Sequence, residues 1–246
     1  MTNITLKSGK TVKAYKPFDP NRPRISFGNR KTGFPSVNFL AGNSIHPYDG
    51  ARFSEIIEWF MIVLGWNICG TCPCDCKGCY AKKITRYANA FYMYAMNTYE
   101  MTTDPKLFWC LVAADIDRHK KAIANRGNII RIDDSGDLYS LENVLAIMDF
   151  VREFSEIRFY GYTEFHAWAE MLNTIGNVNF RKSHFTEYVA TSGHGNAFVD
   201  NGTDERIMKM VHCPAIDKAG KKTGKTCNKC NICPLSDCDI CFTLHA

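Results

Sequence analysis

The sequence predicts an α/β fold with a largely parallel sheet. Three observations predict it. Strand-like and helix-like segments alternate between residues 104 and 190. Each predicted strand runs out into polar or ligating residues, where parallel sheets carry their working groups. The chain has 246 residues, 46% apolar and 13% aromatic, enough to bury a two-layer core.

The first 50 residues are rich in Pro, Gly, Asn and Lys and read as a basic arm with one or two short strands. Residues 56–66 are apolar and β-branched toward their end. A helix over residues 53–60 is open, and the second half reads as a buried strand leading to Cys69. Residues 81–99 read as a helix whose Tyr87, Phe91, Tyr94 and Tyr99 form a core-packing stripe. Asp104-Pro105 starts a helix over residues 107–125, ended by Gly127.

A strand over residues 128–132 opens into Asp133-Asp134-Ser135-Gly136-Asp137. Residues 141–154 read as a helix capped by Ser140. A strand over 157–162 ends in Thr163-Glu164, and a helix follows through Leu172. Two short strands are expected over 178–181 and 188–190, the second running into Thr191-Ser192-Gly193-His194. After residue 210 the composition turns to Lys, Cys, Gly and Asn. This organises the chain as a basic arm (1–50), an α/β domain (51–209) and a cysteine-rich tail (210–246).

Twelve cysteines stand in the chain. Only Cys110 is isolated. Cys69, Cys72, Cys74, Cys76 and Cys79 form one group. Cys213, Cys227, Cys230, Cys233, Cys238 and Cys241 form another. The N-terminus lacks the apolar stretch of a secretory signal, and no run approaches the roughly 20 residues of a membrane span. A cytoplasmic protein without membrane contact is expected, where thiols stay reduced and dense cysteine groups argue for metal. Residues 1–31 carry eight Lys or Arg against one acid, and the tail is also basic. Basic ends on an acidic body could meet nucleic acid, and they are equally what solvated ends look like.

Cys72-x3-Cys76-x2-Cys79 can place three thiolates on three irons of a [4Fe–4S] cubane. The fourth iron is then open, as a catalytic metal position must be. Cys69 or Cys74 could close it. The alternative is zinc held by the pairs Cys69/Cys72 and Cys76/Cys79. In the tail, Cys227-x2-Cys230-x2-Cys233 resembles ferredoxin-type ligation. Cys213, Cys227, Cys230 and Cys233 are the expected ligands, with Cys238 or Cys241 as substitutes. A zinc knuckle from Cys227/Cys230 and Cys238/Cys241 is the rival.

The three-cysteine loop, placed before a strand–helix succession, resembles the radical SAM superfamily. The chain is also similar to the phage and prophage gene product 88-like proteins. That likeness rests on Gly28-Asn29-Arg30-Lys31-Thr32-Gly33, Cys76-Lys77-Gly78-Cys79-Tyr80-Ala81, residues 131–140, Tyr160-Gly161-Tyr162-Thr163 and Cys213-Pro214, in that order. The radical SAM resemblance implies a partial (βα) TIM-like barrel and a [4Fe–4S] cluster that binds S-adenosylmethionine. It also implies an electron donor, a substrate of unassigned chemistry and an auxiliary cluster in the tail. Ser135, Gly136 and Asp137 would then meet the amino group of S-adenosylmethionine, with Thr163, Glu164, Ser192 and His194 as further strand-end candidates. Gly78 stands where that superfamily has an aromatic residue, and Tyr80 follows the last cysteine instead. The other class open to the sequence is a non-catalytic protein, stabilised by zinc or iron–sulfur, that binds nucleic acid. Iron–sulfur clusters in electron transfer or sensing, without S-adenosylmethionine, lie between the two.

Overall fold

The computed structural model describes residues 2–5, 9, 11–27, 33–41, 56, 60, 64–65, 71, 87–184, 195–200, 205–208, 210–215 and 223–243. In chain order the strands are β1 (Thr2–Thr5), β2 (Thr11–Ala14), β3 (Ile25–Ser26), β4 (Ser36–Val37), β5 (Ile129–Ile132), β6 (Arg158–Thr163), β7 (Val178–His184), β8 (Asn196–Asp200), β9 (Val211–His212) and β10 (Ile240–Thr243). The helices are α1 (Ala88–Thr103), α2 (Pro105–Ala124), α3 (Leu141–Arg152), α4 (His166–Asn173), α5 (Glu205–Met208), α6 (Cys227–Cys230) and α7 (Ile232–Leu235).

β1 and β2 form an antiparallel pair. The other eight strands form one sheet in the order β3-β4-β5-β6-β7-β8-β10-β9. The pairings β5–β6, β6–β7, β7–β8, β8–β10 and β10–β9 are all parallel. The sheet is mostly parallel, as expected, and open: among the described residues β3 and β9 are its edges, and it does not close into a barrel. No helix among the described residues is long and apolar enough to cross a membrane.

The chain divides into two units, one of residues 1–25, 37–118 and 133–147, the other of residues 26–36, 119–132 and 148–246. In the first unit α1 is buried nearly all round, from Phe91 to Met101, as a helix inside a core must be. Asp104 caps α2 by accepting the Leu107 N–H (3.0 Å), and Pro105 takes the first helical position, which needs no donor. The Ser140 hydroxyl accepts the Asn143 N–H (3.2 Å) and starts α3. Ile56, Phe60 and Leu64 are helical; the first two agree with the helix left open over residues 53–60, and Leu64 departs from the strand expected over the second half of residues 56–66. Spacing of four puts these side chains on one face. There they join the α1 core, with the Phe60 ring 6.0 Å from Tyr92.

The basic arm also departs from its surface reading. Arg22 and Arg24 are fully buried. Both bind Glu100 of α1, Arg22 through Nη2 at 2.5 Å and Arg24 through Nε at 2.8 Å. Two of the eight cations that made the arm basic are therefore used inside the core.

In the second unit the sheet is covered on both faces. Phe159 of β6 packs on Phe150 of α3, with ring centroids 5.2 Å apart. Asn173 of α4 exchanges hydrogen bonds with the Phe180 backbone of β7. The opposite side chains of the same strands meet residues 232–238. Such a face is ordinarily apolar, yet here it carries Arg158, Asn179 and Arg181. Their partners explain it. Arg158 donates to Pro234 O (2.9 Å), and Asn179 donates to Cys233 O and Ser236 O (3.0 Å each). Arg181 donates to Cys233 O, Ser236 O and Cys238 O at 3.2, 2.5 and 2.6 Å. The sheet thus supplies the donors that the last carbonyls of α7 lack within their own helix. The cysteine-rich segment completes the sheet as well, since β10 lies between β8 and β9 with Ile240 and Cys241 buried.

Candidate functional site

The loop after β5 lies in the first unit and is built by close approach. Asp133 takes the left-handed region (φ 59°) and donates its N–H to Val37 O (3.0 Å). Ser135 O accepts the Phe39 N–H (2.8 Å). Gly136 has φ 91°, and a Cβ there would lie 2.7 Å from both Phe39 Cβ and Thr71 Oγ1. Thr71 Oγ1 accepts the Asp137 N–H (2.9 Å), while the Thr71 N–H binds Leu40 O (2.9 Å). The residue directly before Cys72 is therefore held on the Ser135-Gly136-Asp137 turn. Asp137 also accepts the Leu138 N–H through Oδ1 (2.7 Å).

Asp133, Asp134, Ser135 and Asp137 are all buried. Among the described residues the Ser135 hydroxyl has no hydrogen-bond partner. Burying a hydroxyl unsatisfied is costly, and native structures keep few such groups. Replacing Gly136 with Ala should cost about 2–4 kcal/mol, because overpacking against Phe39 adds to a left-handed backbone. Chemical denaturation should record the loss. It should be larger than for Gly176→Ala, where a Cβ meets nothing within 4 Å.

At the ends of β6 and β7 the predicted Thr163 is buried, and its Oγ1 accepts the Phe165 N–H (3.0 Å). It shapes the turn into α4. Beside it on the helix-facing side lie Lys182, whose Nζ is 3.3 Å from Glu170 Oε1, and the ring pair His166 and His184, with centroids 4.6 Å apart. His184 Nε2 is 3.1 Å from Asn196 Oδ1, and the Asn196 amide donates to Asp239. A His184 imidazole protonated on Nε2 would donate that bond. Burial, with the neighbouring His166 and Lys182 charges, pushes its pKa down against the Asn196 hydrogen bond.

The tail residues converge in the second unit. Cys213, Cys227, Cys230 and Cys233 line one pocket with His212, Ile232 and Ile240. All four are thiols without disulfide bonds. Cys238 stands apart, with Sγ 3.1 Å from Ser236 Oγ. Cys241 is buried on β10 against Phe198 and Ile207. The loop carrying these residues is braced from both sides. Gly33, the last residue of the Gly28–Gly33 motif, leaves room for Asn228 of α6, whose Cγ would be 2.5 Å from a Cβ at that position.

Burial pushes the Cys233 thiol pKa up, while the Tyr162 hydroxyl and the charges of Arg181 and Arg131 pull the other way. Tyr162 itself is pushed well above the ordinary phenol range by burial. Four soft sulfur donors in one pocket suit a thiophilic ion, zinc or iron–sulfur. The donors line the wall without closing on a point: among the described residues no group of three His, Cys, Asp or Glu is in position to hold a metal ion. The cavity is about 20 Å³, room for one ion-sized or water-sized guest.

Cys69, Cys72, Cys74, Cys76, Cys79, Tyr80, Ser192 and His194 lie outside the described residues, as does the strand expected over 188–190. Sequence reasoning missed Arg131, Tyr162 and Arg181. A signal existed for them: polar residues at alternate positions of strands otherwise apolar enough to be buried.

The fold and site together define an open-sheet α/β protein with a thiol-lined pocket. Its family is likewise identifiable. The family described as Gene product 88 matches residues 25–236, and the chain belongs to it. No curated protein and no solved structure matches the chain.

Proposed function

We propose that the protein is an iron–sulfur protein of the radical SAM type. Cys72, Cys76 and Cys79 would ligate a [4Fe–4S] cluster, and the Ser135-Gly136-Asp137 turn would hold the amino group of S-adenosylmethionine. The observation that supports this most is the Thr71–Asp137 hydrogen bond. It brings the start of the cysteine loop to the turn after β5, as the reading requires. When bound, the cluster supplies the electron that cleaves the sulfonium. The chain's own part is to orient. Ser135 offers a buried hydroxyl with no hydrogen-bond partner among the described residues. Asp137 offers a buried carboxylate for an ammonium. Gly136 keeps the backbone close to Thr71. A partial (βα) barrel is the matching architecture, with the open sheet as its described part.

A second, thiolate-held centre on Cys213, Cys227, Cys230 and Cys233, which line one pocket, is part of the same proposal. Metal analysis of anaerobically purified protein separates the cases. Iron with sulfide, lost in Cys76→Ala, is the expected result. Dithionite and S-adenosylmethionine should then release 5′-deoxyadenosine. A fully loaded cluster that releases none overturns the radical reading. Zinc without iron would instead leave a metal-stabilised binding protein, and salt-sensitive nucleic-acid binding would then be its test.

A further inference from the structure

The carboxyl end of β7 carries two titratable side chains on the face turned to α4. Lys182 and His184 stand two residues apart, which puts them on one face of the strand, and both are 7% exposed. His166 of α4 packs against this face. Its ring centroid is 4.6 Å from that of His184, and its Nε2 is 3.0 Å from Ser183 O. The His184 ring also stacks on Phe198 of β8, with centroids 4.8 Å apart. Lys182 Nζ is 3.3 Å from Glu170 Oε1, a carboxylate that is 67% exposed and therefore screened by solvent. An ammonium is thus buried beside two imidazoles, with an exposed acid to offset it.

Asn196 joins this group to the cysteine-rich segment. His184 Nε2 lies 3.1 Å from Asn196 Oδ1. The Asn196 amide and backbone N–H both donate to Asp239 Oδ1 (2.9 and 2.8 Å), just before β10. The backbone takes the same path: the Lys182 N–H donates to Gly195 O (3.1 Å), and the Gly195 N–H donates to Asp237 O (2.9 Å). The end of β7, the start of β8 and residues 237–239 are therefore linked through residues 195 and 196.

With Nε2 donating to Asn196, a second proton on His184 enters at Nδ1. The charged ring would then be buried beside His166 and the Lys182 ammonium, with Asp239, reached through Asn196, as the opposing carboxylate. Burial, with the His166 and Lys182 charges, opposes that proton more than the Asn196 hydrogen bond and the Asp239 charge favour it. Were the linked segments to part, His184 would return to water and to the ordinary imidazole value of about 6.5. The open state therefore binds more protons than the closed one as the pH falls through that range, and closure weakens. We propose that His184, opposed by His166 and Lys182, is a pH-sensitive latch that holds the start of β8 and residues 237–239 on β7 at neutral pH and lets them go on acidification. The latch does not depend on a metal.

Amide hydrogen exchange of the full chain tests this, corrected for intrinsic rates and followed from about pH 8 to about pH 5, across the imidazole range. In the parent, the opening constant of residues 195–200 and 237–243 should rise as the pH falls, by at most about tenfold per pH unit, the limit for one proton. Amides of β5 and β6 should not follow. His184→Gln keeps a donor for Asn196 and does not titrate, so its opening constant should stay flat. Lys182→Met removes one opposing charge and should rise over a narrower pH range. A flat parent, or a rise unaltered in either variant, overturns the proposal. An equal rise in β5 and β6 also overturns it, because the unit then unfolds as a whole. Should His184→Gln fail to fold, the parent decides alone. Its rise must level off where the His184 ring protons titrate by NMR, and a plateau elsewhere overturns the latch.

Discussion

Replacing Arg181 with Met is expected to detach residues 232–238 from the sheet and to cost about 3–5 kcal/mol, the range for breaking a buried charged interaction. Arg181 is fully buried and donates to the carbonyls of Cys233, Ser236 and Cys238. Asn179 also serves Cys233 O and Ser236 O, so the sharpest loss falls on Cys238 O. The Met side chain fills most of the volume and offers no donor. A buried carbonyl left unpaired costs about 1–3 kcal/mol, and hydrogen bonds to a charged donor are the stronger kind. Denaturation of the metal-free protein measures the total. Thiol labelling localises it: Cys233, 8% exposed, should react markedly faster in Arg181→Met while Cys110, already exposed, should not change. Unchanged stability together with unchanged Cys233 labelling would remove Arg181 from its bracing role.

That bracing could not be seen in the linear chain. Composition after residue 210 turns to Lys, Cys, Gly and Asn, and its dense cysteines argued for a metal. The segment receives hydrogen bonds to its backbone, from strands 50 to 80 residues earlier. Nothing local in the sequence announces such a pairing. The regular elements announced themselves well. Asp104-Pro105 and Gly127 bracket α2, and Ser140 opens α3, because caps are local chemistry. β5, β6 and β7 were readable as apolar runs. Leu64 misled because the β-branched residues before it are local in the sequence, whereas the α1 core it joins is not. For the site, the Ser135-Gly136-Asp137 turn was legible from residue type alone. The reason for its glycine was not: only the structure brings Phe39 and Thr71 to within 2.7 Å of a Cβ at position 136.

Arg22 and Arg24 make the same point more sharply and carry the other large expected effect. By sequence they belonged to a charged surface arm. Folded, both side chains and Glu100 have no exposure at all. One carboxylate serves two guanidinium groups and also accepts the Phe18 N–H (2.7 Å). Asn97 takes a further bond from Arg22 (2.9 Å), and Asp115 accepts the Arg24 and Ile25 N–H groups. Burial, then the adjacent Arg22 charge, pulls the Arg24 pKa down, with Glu100 holding it up. Glu100→Ala leaves two buried cations without their shared anion, and about 3–5 kcal/mol should be lost. Glu100→Gln retains an acceptor and removes the charge, so it should recover only part of that. The decisive comparison is Arg22→Met, Arg24→Met and Glu100→Leu together. Apolar replacement of a whole buried ion cluster is often neutral or better, because the desolvation cost vanishes with the charges. The triple variant should therefore be more stable to denaturant than Glu100→Ala alone. If it is less stable, the network contributes net stability beyond mutual compensation, and its charges hold the first unit together by more than cancelling one another.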